Sequence, residues 1–143
     1  MTNPLLTVLM TVRNGEPYLH EAVQSIVTQT YRDFRFLILD NASTDRSREI
    51  VRAFKDPRIE LVELPDDMGQ VRALNRGLDM IDTPLIARMD ADDVSVPDRF
   101  EQQVRILEQH PQVVIVGSAY SRIDETGGLI SVRSYPAHDT EIR

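Results

Sequence analysis

Asp90, Asp92 and Asp93 place three carboxylates within four residues, directly after the apolar run 85–89. Carboxylates held that close repel one another and raise each other's pKa. A hard divalent cation such as Mg²⁺ or Mn²⁺ relieves the repulsion, because it prefers oxygen ligands and completes its shell with phosphate oxygens. Such an ion neutralises charge developing on a diphosphate leaving group. The plainer reading of the same residues is an exposed acidic turn that caps the next helix.

Two further polar clusters follow apolar runs. Thr11, Arg13 and Asn14 end the first, and Asp40 and Asn41 end the second. Arg13 has a planar guanidinium that can stack on a base or pair with phosphate; the alternative is a solvated arginine. An acidic residue placed like Asp40 can bind base or ribose hydroxyls in a nucleotide fold. Ser43 to Asp45 equally have the chemistry of a helix cap. Arg72, one turn into a later helix behind Gly69, could reach a phosphate or lie on the surface. Arg88 lies either at a sheet edge or facing the site. His20, His110 and His138 have no metal-ligand spacing and read as surface residues. No serine sits in a nucleophile elbow. No glycine-rich phosphate loop follows the first apolar run, which argues against a classical dinucleotide or P-loop site.

The elements that position these clusters alternate strand and helix. Residues 6–12 are nearly all apolar with β-branched members, as in a strand buried on both faces. Asn14-Gly15 ends that strand, and Pro17 suits a first helical turn. Leu19, Ala22, Val23, Ile26 and Val27 then form one stripe at helical spacing. A second strand is expected at 34–39, followed by a helix carrying Ile50, Val51 and Phe54 that Asp56-Pro57 stops. A third strand spans 59–64, and Pro65-Asp66-Asp67-Met68-Gly69 is a loop. The next helix is expected to bury Val71, Leu74, Leu78 and Ile81. A fourth strand at 85–89 precedes the aspartates. Ser95-Val96-Pro97-Asp98 has the form of a capping box for a helix carrying Phe100, Val104 and Leu107. A fifth strand is expected at 113–116, and short strands at 121–124 and 129–133 flank the turn Glu125-Thr126-Gly127-Gly128. Alternating βα units imply an α/β fold, a mainly parallel sheet with helices on both faces. Ligands of such sheets bind beyond the C-terminal strand ends, where all three polar clusters fall.

Composition narrows the function. The 143 residues suit one domain, and a formal net charge of −7 argues against a nucleic-acid partner, which needs a basic footprint. A phosphorylated ligand would need a metal ion, a helix N-terminus or a few arginines. There is no cysteine, which fits a cytoplasmic protein and excludes thiolate metal sites. No run approaches the ~20 apolar residues of a membrane span, and no signal peptide is evident. Any membrane association is left to other parts of a parent protein.

Five segments, in order and in register, resemble family 2 of the inverting glycosyltransferases. Thr7-Val8-Leu9-Met10-Thr11-Val12-Arg13-Asn14 is similar to that family's first strand and its polar end. Ser25-Ile26-Val27-Thr28-Gln29-Thr30-Tyr31 resembles its SxxxQTY helix end, and Leu39-Asp40-Asn41-Ala42-Ser43-Thr44-Asp45 its vDDgSTD turn. Gly69-Gln70-Val71-Arg72-Ala73-Leu74-Asn75-Arg76-Gly77 resembles GxxxALNxG. Met89-Asp90-Ala91-Asp92-Asp93 with Pro97-Asp98-Arg99 resembles DADDxxxPxRL, which holds the DxD metal motif. The resemblance implies a Rossmann-like GT-A fold, a divalent metal (Mn or Mg), a nucleotide-diphosphate-sugar donor with UDP favoured, and a saccharide or lipid-linked acceptor. It implies that Thr11, Arg13, Asp40 and Asn41 line the base pocket and that Gly69 and Arg72 lie near the nucleotide. Asp92 and Asp93 would hold ribose and metal, with Asp90 opening the motif.

This sequence departs from the family pattern in three ways. The second acid of vDDgSTD is Asn41, whose amide both donates and accepts. Arg13 replaces the usual aromatic residue before the asparagine of the first motif. The family's general base lies well downstream of the aspartates and is expected beyond Arg143, so residues 1–143 are expected to be one GT-A domain lacking the acceptor-binding half. Asp124 and Glu125 read as solvated turn residues. The resemblance therefore implies metal-dependent, inverting sugar transfer to an acceptor hydroxyl, as part of glycan or polysaccharide biosynthesis. The rival is a module that binds nucleotide without transferring sugar. A receiver-type signalling domain would need an acid pair after the first strand and a lysine after the fifth. Thr11, Arg13 and Gly117-Ser118 stand there instead.

Overall fold

The computed structural model describes residues 4–134, so His138 lies outside the described residues. The chain divides into two compact units, Met1–Glu101 and Gln102–Arg143. In the first, four strands form one parallel sheet: β1 (Leu6–Val12), β2 (Phe34–Asp40), β3 (Ile59–Glu63) and β4 (Leu85–Asp90), in the order β3-β2-β1-β4. Three helices connect them: α1 (Glu16–Val27), α2 (Ser47–Ala53) and α3 (Gln70–Leu78). α4 (Arg99–Gln109) runs across the division between the units. The second unit contains an antiparallel pair, β5 (Tyr120–Ile123) and β6 (Leu129–Arg133).

The apolar character of β1 and β2 follows from burial on both faces. Leu9, Leu37 and Leu39 pack with Leu64 and Ala73 in one cluster. Side-chain alternation sends Val8, Met10, Phe36 and Ile38 to the other face, and these are fully buried too. β1 pairs in register with β2 (Leu6 with Phe34, Val12 with Asp40) and with β4 (Leu6 with Leu85, Thr11 with Asp90). Strand order runs one way through α1 and α2, then returns across the sheet through α3. Right-handed crossovers therefore place α3 on the opposite face from α1 and α2. Its packing against β1 and β2, and the packing of α1 on α2, agree with that arrangement.

Three sequence expectations change. α3 buries Ala73 and Gly77, whereas Val71 and Leu78 are exposed. The small residues win because the helix lies close on the sheet: a Cβ on Gly77 would stand 2.5 Å from Leu9 Cδ1. Leu74 and Ile81 contribute only as partly buried neighbours of that cluster. Residues 113–119 form no strand, and Val114 and Ile115 are among the most exposed apolar residues. An extended apolar run becomes a strand only when a neighbour pairs with it, and among the described residues none does. Ser95 does not cap α4, which begins four residues later at Arg99. The two strands expected around residues 125–128 are present. Asp124 organises their turn by accepting hydrogen bonds from the Thr126 and Gly128 N–H groups, both 2.8 Å.

Candidate functional site

A cleft of about 720 Å³ opens at the C-terminal ends of β1, β2 and β4. Pockets of about 300–1,000 Å³ are the usual size for small ligands and cofactors. β1 lies at the point where strand order reverses, the position at which α/β sheets bind ligands. Thr11, Arg13, Asn41, Gly69, Asp90 and Asp92 all line the cleft. Asp40, Arg72 and Asp93 do not. Asp40 is fully buried beneath it, with Oδ2 accepting hydrogen bonds from Arg48 Nε (2.5 Å) and Ser43 N–H (3.2 Å). Its Oδ1 is buried with no hydrogen-bond partner among the described residues. Arg72 is exposed on α3.

One wall of the cleft is laced together by the loops that follow β1 and β2. The Asn14 N–H donates to Ser43 Oγ (3.0 Å), Gly15 N–H to Ser47 Oγ (2.9 Å) and Glu16 N–H to Asp45 Oδ2 (3.0 Å). Asn14 Oδ1 accepts in return from Thr44 N–H (2.9 Å). Ser43 and Asp45, which the sequence offers as caps for their own helix, thus serve the neighbouring loop. Asp45 also accepts from the Ser47 hydroxyl and N–H. Partial burial pushes the Asp45 carboxyl up, but these hydrogen bonds outweigh it and hold the group below the usual carboxylate range. Asn14 and Ala42 sit in the left-handed region (φ 52° and 57°).

The loop before α3 also lines the cleft and contains a functional residue with no motif around it in the sequence. Asp67 lines the cleft and is ion-paired through Oδ2 with Arg13 Nη1. Asp67 Oδ1 accepts from Asn41 Nδ2 (2.8 Å) and from Gly69 N–H (2.9 Å). Asn41 Oδ1 accepts from Met68 N–H (3.1 Å). Gly69 itself has φ 78°, a conformation side chains disfavour, which is why glycine opens α3. Asp67 could have been found from its charge: an arginine at the mouth of an acidic chain's pocket needs a carboxylate, and this loop carries two. Tyr18 and Gln70 also line the cleft; both lie in first helical turns, where the sequence pattern marks only the buried stripe.

The acidic rim follows β4. Asp90 Oδ1 is paired with Arg88 Nη2 at 2.7 Å, both side chains partly exposed. Burial, then the charges of Asp92 and Asp90, push the Asp93 carboxyl up against the opposing pull of Arg99 and Arg88. Among the described residues, no three His, Cys, Asp or Glu side chains converge as a ready-made metal cage. The donor set nevertheless fits a hard cation: Asp90 and Asp92 present carboxylates to a cleft, and Mg²⁺-type sites use one or two carboxylates with substrate phosphates and water. A cation held there would offset the neighbouring carboxylate charges that push the Asp93 carboxyl up.

The chain after the aspartates is anchored by Gln29, which is fully buried. Its Nε2 donates to Val96 O (2.7 Å), Ser25 O (3.1 Å) and Ser95 Oγ (3.3 Å), while Oε1 accepts from Phe100 N–H (3.1 Å) at the start of α4. Ser25 Oγ accepts from Ser95 N–H (3.1 Å), and Pro97 O from Thr30 N–H (2.8 Å). The Ser25–Thr30 segment is thus a clasp on residues 95–100, and Gln29 supplies the cap that Ser95 was expected to supply.

The sequence model of the family described as Glycosyl transferase family 2 matches residues 7–141. An uncharacterized glycosyltransferase of Methanocaldococcus jannaschii is 34% identical over 134 residues, covering 91% of this chain and 46% of its own length. The O-antigen biosynthesis glycosyltransferase WbnJ of Escherichia coli is 33% identical over 141 residues, covering 94% of this chain and 54% of its own. The chain thus spans about half the length of these relatives. Among solved structures, the mannosyltransferase PcManGT of Pyrobaculum calidifontis, in complex with GDP-Man and Mn²⁺, superposes with a TM-score of 0.70 at 27% identity, covering 85% of this chain and 37% of that one. S. aureus TarS 1-349 in complex with UDP-GlcNAc gives a TM-score of 0.71 at 20% identity, over 74% of this chain and 32% of that one, a likeness of fold.

Proposed function

The chain belongs to glycosyl transferase family 2, and from that membership we propose that its cleft holds the nucleoside diphosphate of a sugar donor for inverting transfer to an acceptor hydroxyl. The observation that carries the reading is the convergence of Thr11, Arg13, Asn41, Gly69, Asp90 and Asp92 on one cleft at the sheet's switch point. The names of WbnJ and of the amylovoran biosynthesis glycosyltransferase AmsE of Erwinia amylovora favour polysaccharide assembly as the setting. The Mn²⁺ and GDP-Man of PcManGT favour a metal-assisted nucleotide-sugar site.

In this reading Asn41, Arg13 and Thr11 receive the base and Gly69 lets the backbone approach the nucleotide. Asp92 and Asp90 present oxygens to a divalent ion; when bound, that ion supplies positive charge to the departing diphosphate. The clasp at Gln29 holds residues 95–100, which follow those carboxylates, and the bonded loops around Asn14 and Ser43 brace the cleft. No helix among the described residues is long and apolar enough to cross a membrane.

The test is calorimetric titration of UDP, GDP and dTDP, with and without Mn²⁺, on this chain and on Asp92→Asn. The expected result is metal-dependent binding of at least one nucleotide, weakened at least tenfold in the variant. Metal-independent binding, or binding unchanged in Asp92→Asn, removes the aspartates from the donor site. Binding without transfer or donor hydrolysis would identify the chain by itself as a nucleotide-binding module.

A further inference from the structure

We propose that Arg88 is a built-in competitor of the divalent ion: its guanidinium holds Asp90 and must yield that carboxylate for the ion to be held. This rests on the metal-assisted site proposed above and deepens it, because metal occupancy then depends on displacing a charge that the chain itself supplies.

The carboxylates of the rim are not equally provided for. Asp90 Oδ1 is ion-paired with Arg88 Nη2 at 2.7 Å. Asp92, which lines the cleft beside it, makes no hydrogen bond or ion pair among the described residues. Two arginines stand against these acids, and they are held differently. Arg99 is anchored: its Nη1 lies 3.5 Å from Met89 Sδ, its Nη2 donates to Arg88 O at 3.0 Å, and its guanidinium lies over the Phe100 ring. Arg88 is held only at its tip. Its side chain is 56% exposed, and among the described residues Asp90 is the one group it hydrogen-bonds. An exposed pair of this kind is weak and opens readily.

The strand explains why the two meet and why they can part. Residues two apart on a strand share a face, so Arg88 and Asp90 lie together with Ile86, which is itself about half exposed. Ala87 and Met89, on the other face, are buried. β4 is also an edge strand among the described residues. The guanidinium can therefore leave Asp90 for solvent without unpacking any neighbour. An ion taking Asp90 would draw on the carboxylate that Arg88 now engages, and two cations set on one carboxylate repel each other. Binding of the ion thus includes the loss of the Arg88 pair. The plainer reading is that Arg88 only charges the open edge of β4 against pairing with another strand. On that reading metal binding is indifferent to it.

The test measures binding of Mn²⁺ alone, from the electron paramagnetic resonance signal of the unbound ion, on the wild-type chain, Arg88→Gln and Arg88→Lys. Arg88→Gln is expected to bind Mn²⁺ roughly 5- to 50-fold more tightly than wild type, the effect of removing one exposed unit charge from beside a cation. Arg88→Lys, which keeps the charge, should stay within about threefold of wild type. In wild-type chain carrying nitrogen-labelled arginine, diamagnetic Mg²⁺ should shift the Arg88 side-chain resonance as the pair with Asp90 opens. Equal or weaker Mn²⁺ binding by Arg88→Gln overturns the proposal, since Arg88 would then guard the sheet edge or steady Asp90 for the ion. An Arg88 resonance unmoved at saturating Mg²⁺ overturns it as well, and this measurement decides the matter should Arg88→Gln fail to fold. Absence of Mn²⁺ binding by both wild type and Arg88→Gln would instead overturn the underlying metal-site reading.

Discussion

Replacing Gln29 tests whether the clasp on residues 95–100 carries the stability that its geometry implies. In Gln29→Leu the Phe100 N–H, at the start of α4, loses its acceptor, and Val96 O loses a 2.7 Å donor. An unsatisfied buried donor costs about 1–3 kcal/mol, and a lost ordinary hydrogen bond about 1 kcal/mol. The sum, near 3 kcal/mol, corresponds to a fall in Tm of roughly 6–12 °C for a chain of this length. Gln29→Glu is the more searching variant because it is isosteric. One carboxyl oxygen still accepts from Phe100 N–H. The other replaces an amide donor and faces the Val96 and Ser25 carbonyls, which disfavour a negative charge. The folded pKa of that glutamate is therefore raised above its unfolded value of about 4.3. Its stability deficit against wild type should be small below that pH, where the protonated acid can donate, and should grow as pH rises through the folded value. The assay is urea unfolding followed by circular dichroism, both variants against wild type, from pH 3.5 to 8. A Gln29→Leu loss under about 0.5 kcal/mol, or a Gln29→Glu deficit that does not change with pH, would refute the argument.

Gly77→Ala places a Cβ 2.5 Å from Leu9 Cδ1, and overpacking of this kind costs about 1–3 kcal/mol; thermal unfolding reads it directly. Ala42→Gly should raise Tm by a few degrees, since a left-handed alanine is disfavoured by about 1–2 kcal/mol and the glycine gives back only part of that as unfolded-chain entropy. Arg58, which stacks on Phe34 and donates to Val27 O, holds the Asp56 carboxyl below its usual range through a side-chain hydrogen bond. The resulting stability is present above about pH 3.9 and is lost as pH falls towards the folded pKa. Asp56→Asn should therefore destabilise at pH 7 and converge on wild type in acid, as followed by melts across that range.

The sequence made the strand ends legible because each is an apolar run with a polar stop, and burial on both faces erases the ambiguity of period two. That placed Thr11, Arg13, Asn41, Asp90 and Asp92 at one end of the sheet, where the cleft lies. The face of α3 was not legible in that way. Hydropathy points to Val71 and Leu78, but close approach to Leu9 and Leu39 selects Ala73 and Gly77, and size complementarity leaves no mark on an apolar pattern. Ser95 misled for a related reason. Its capping chemistry is real, but a glutamine distant in sequence occupies the helix start, and local spacing cannot reveal a partner that arrives through the fold. Asp67 lay in a loop with no periodicity, so only its pairing with Arg13 gives it meaning. Residues 113–116 have strand composition, yet composition does not supply the neighbour a strand requires.

The order β3-β2-β1-β4 also bears on how the chain is made. β1 is one of the two interior strands, and one of its two hydrogen-bonding edges closes against β4, with Leu6 waiting for Leu85 and Thr11 for Asp90. A ribosome delivers β1, β2 and β3 first, so a nascent chain carries an open, sticky strand edge until the aspartate segment emerges. Sheets built from such distant pairings form slowly and are prone to association while incomplete. The aspartates that end β4 are thus the last part of this sheet to arrive, and their arrival seals the strand on which everything else was assembled.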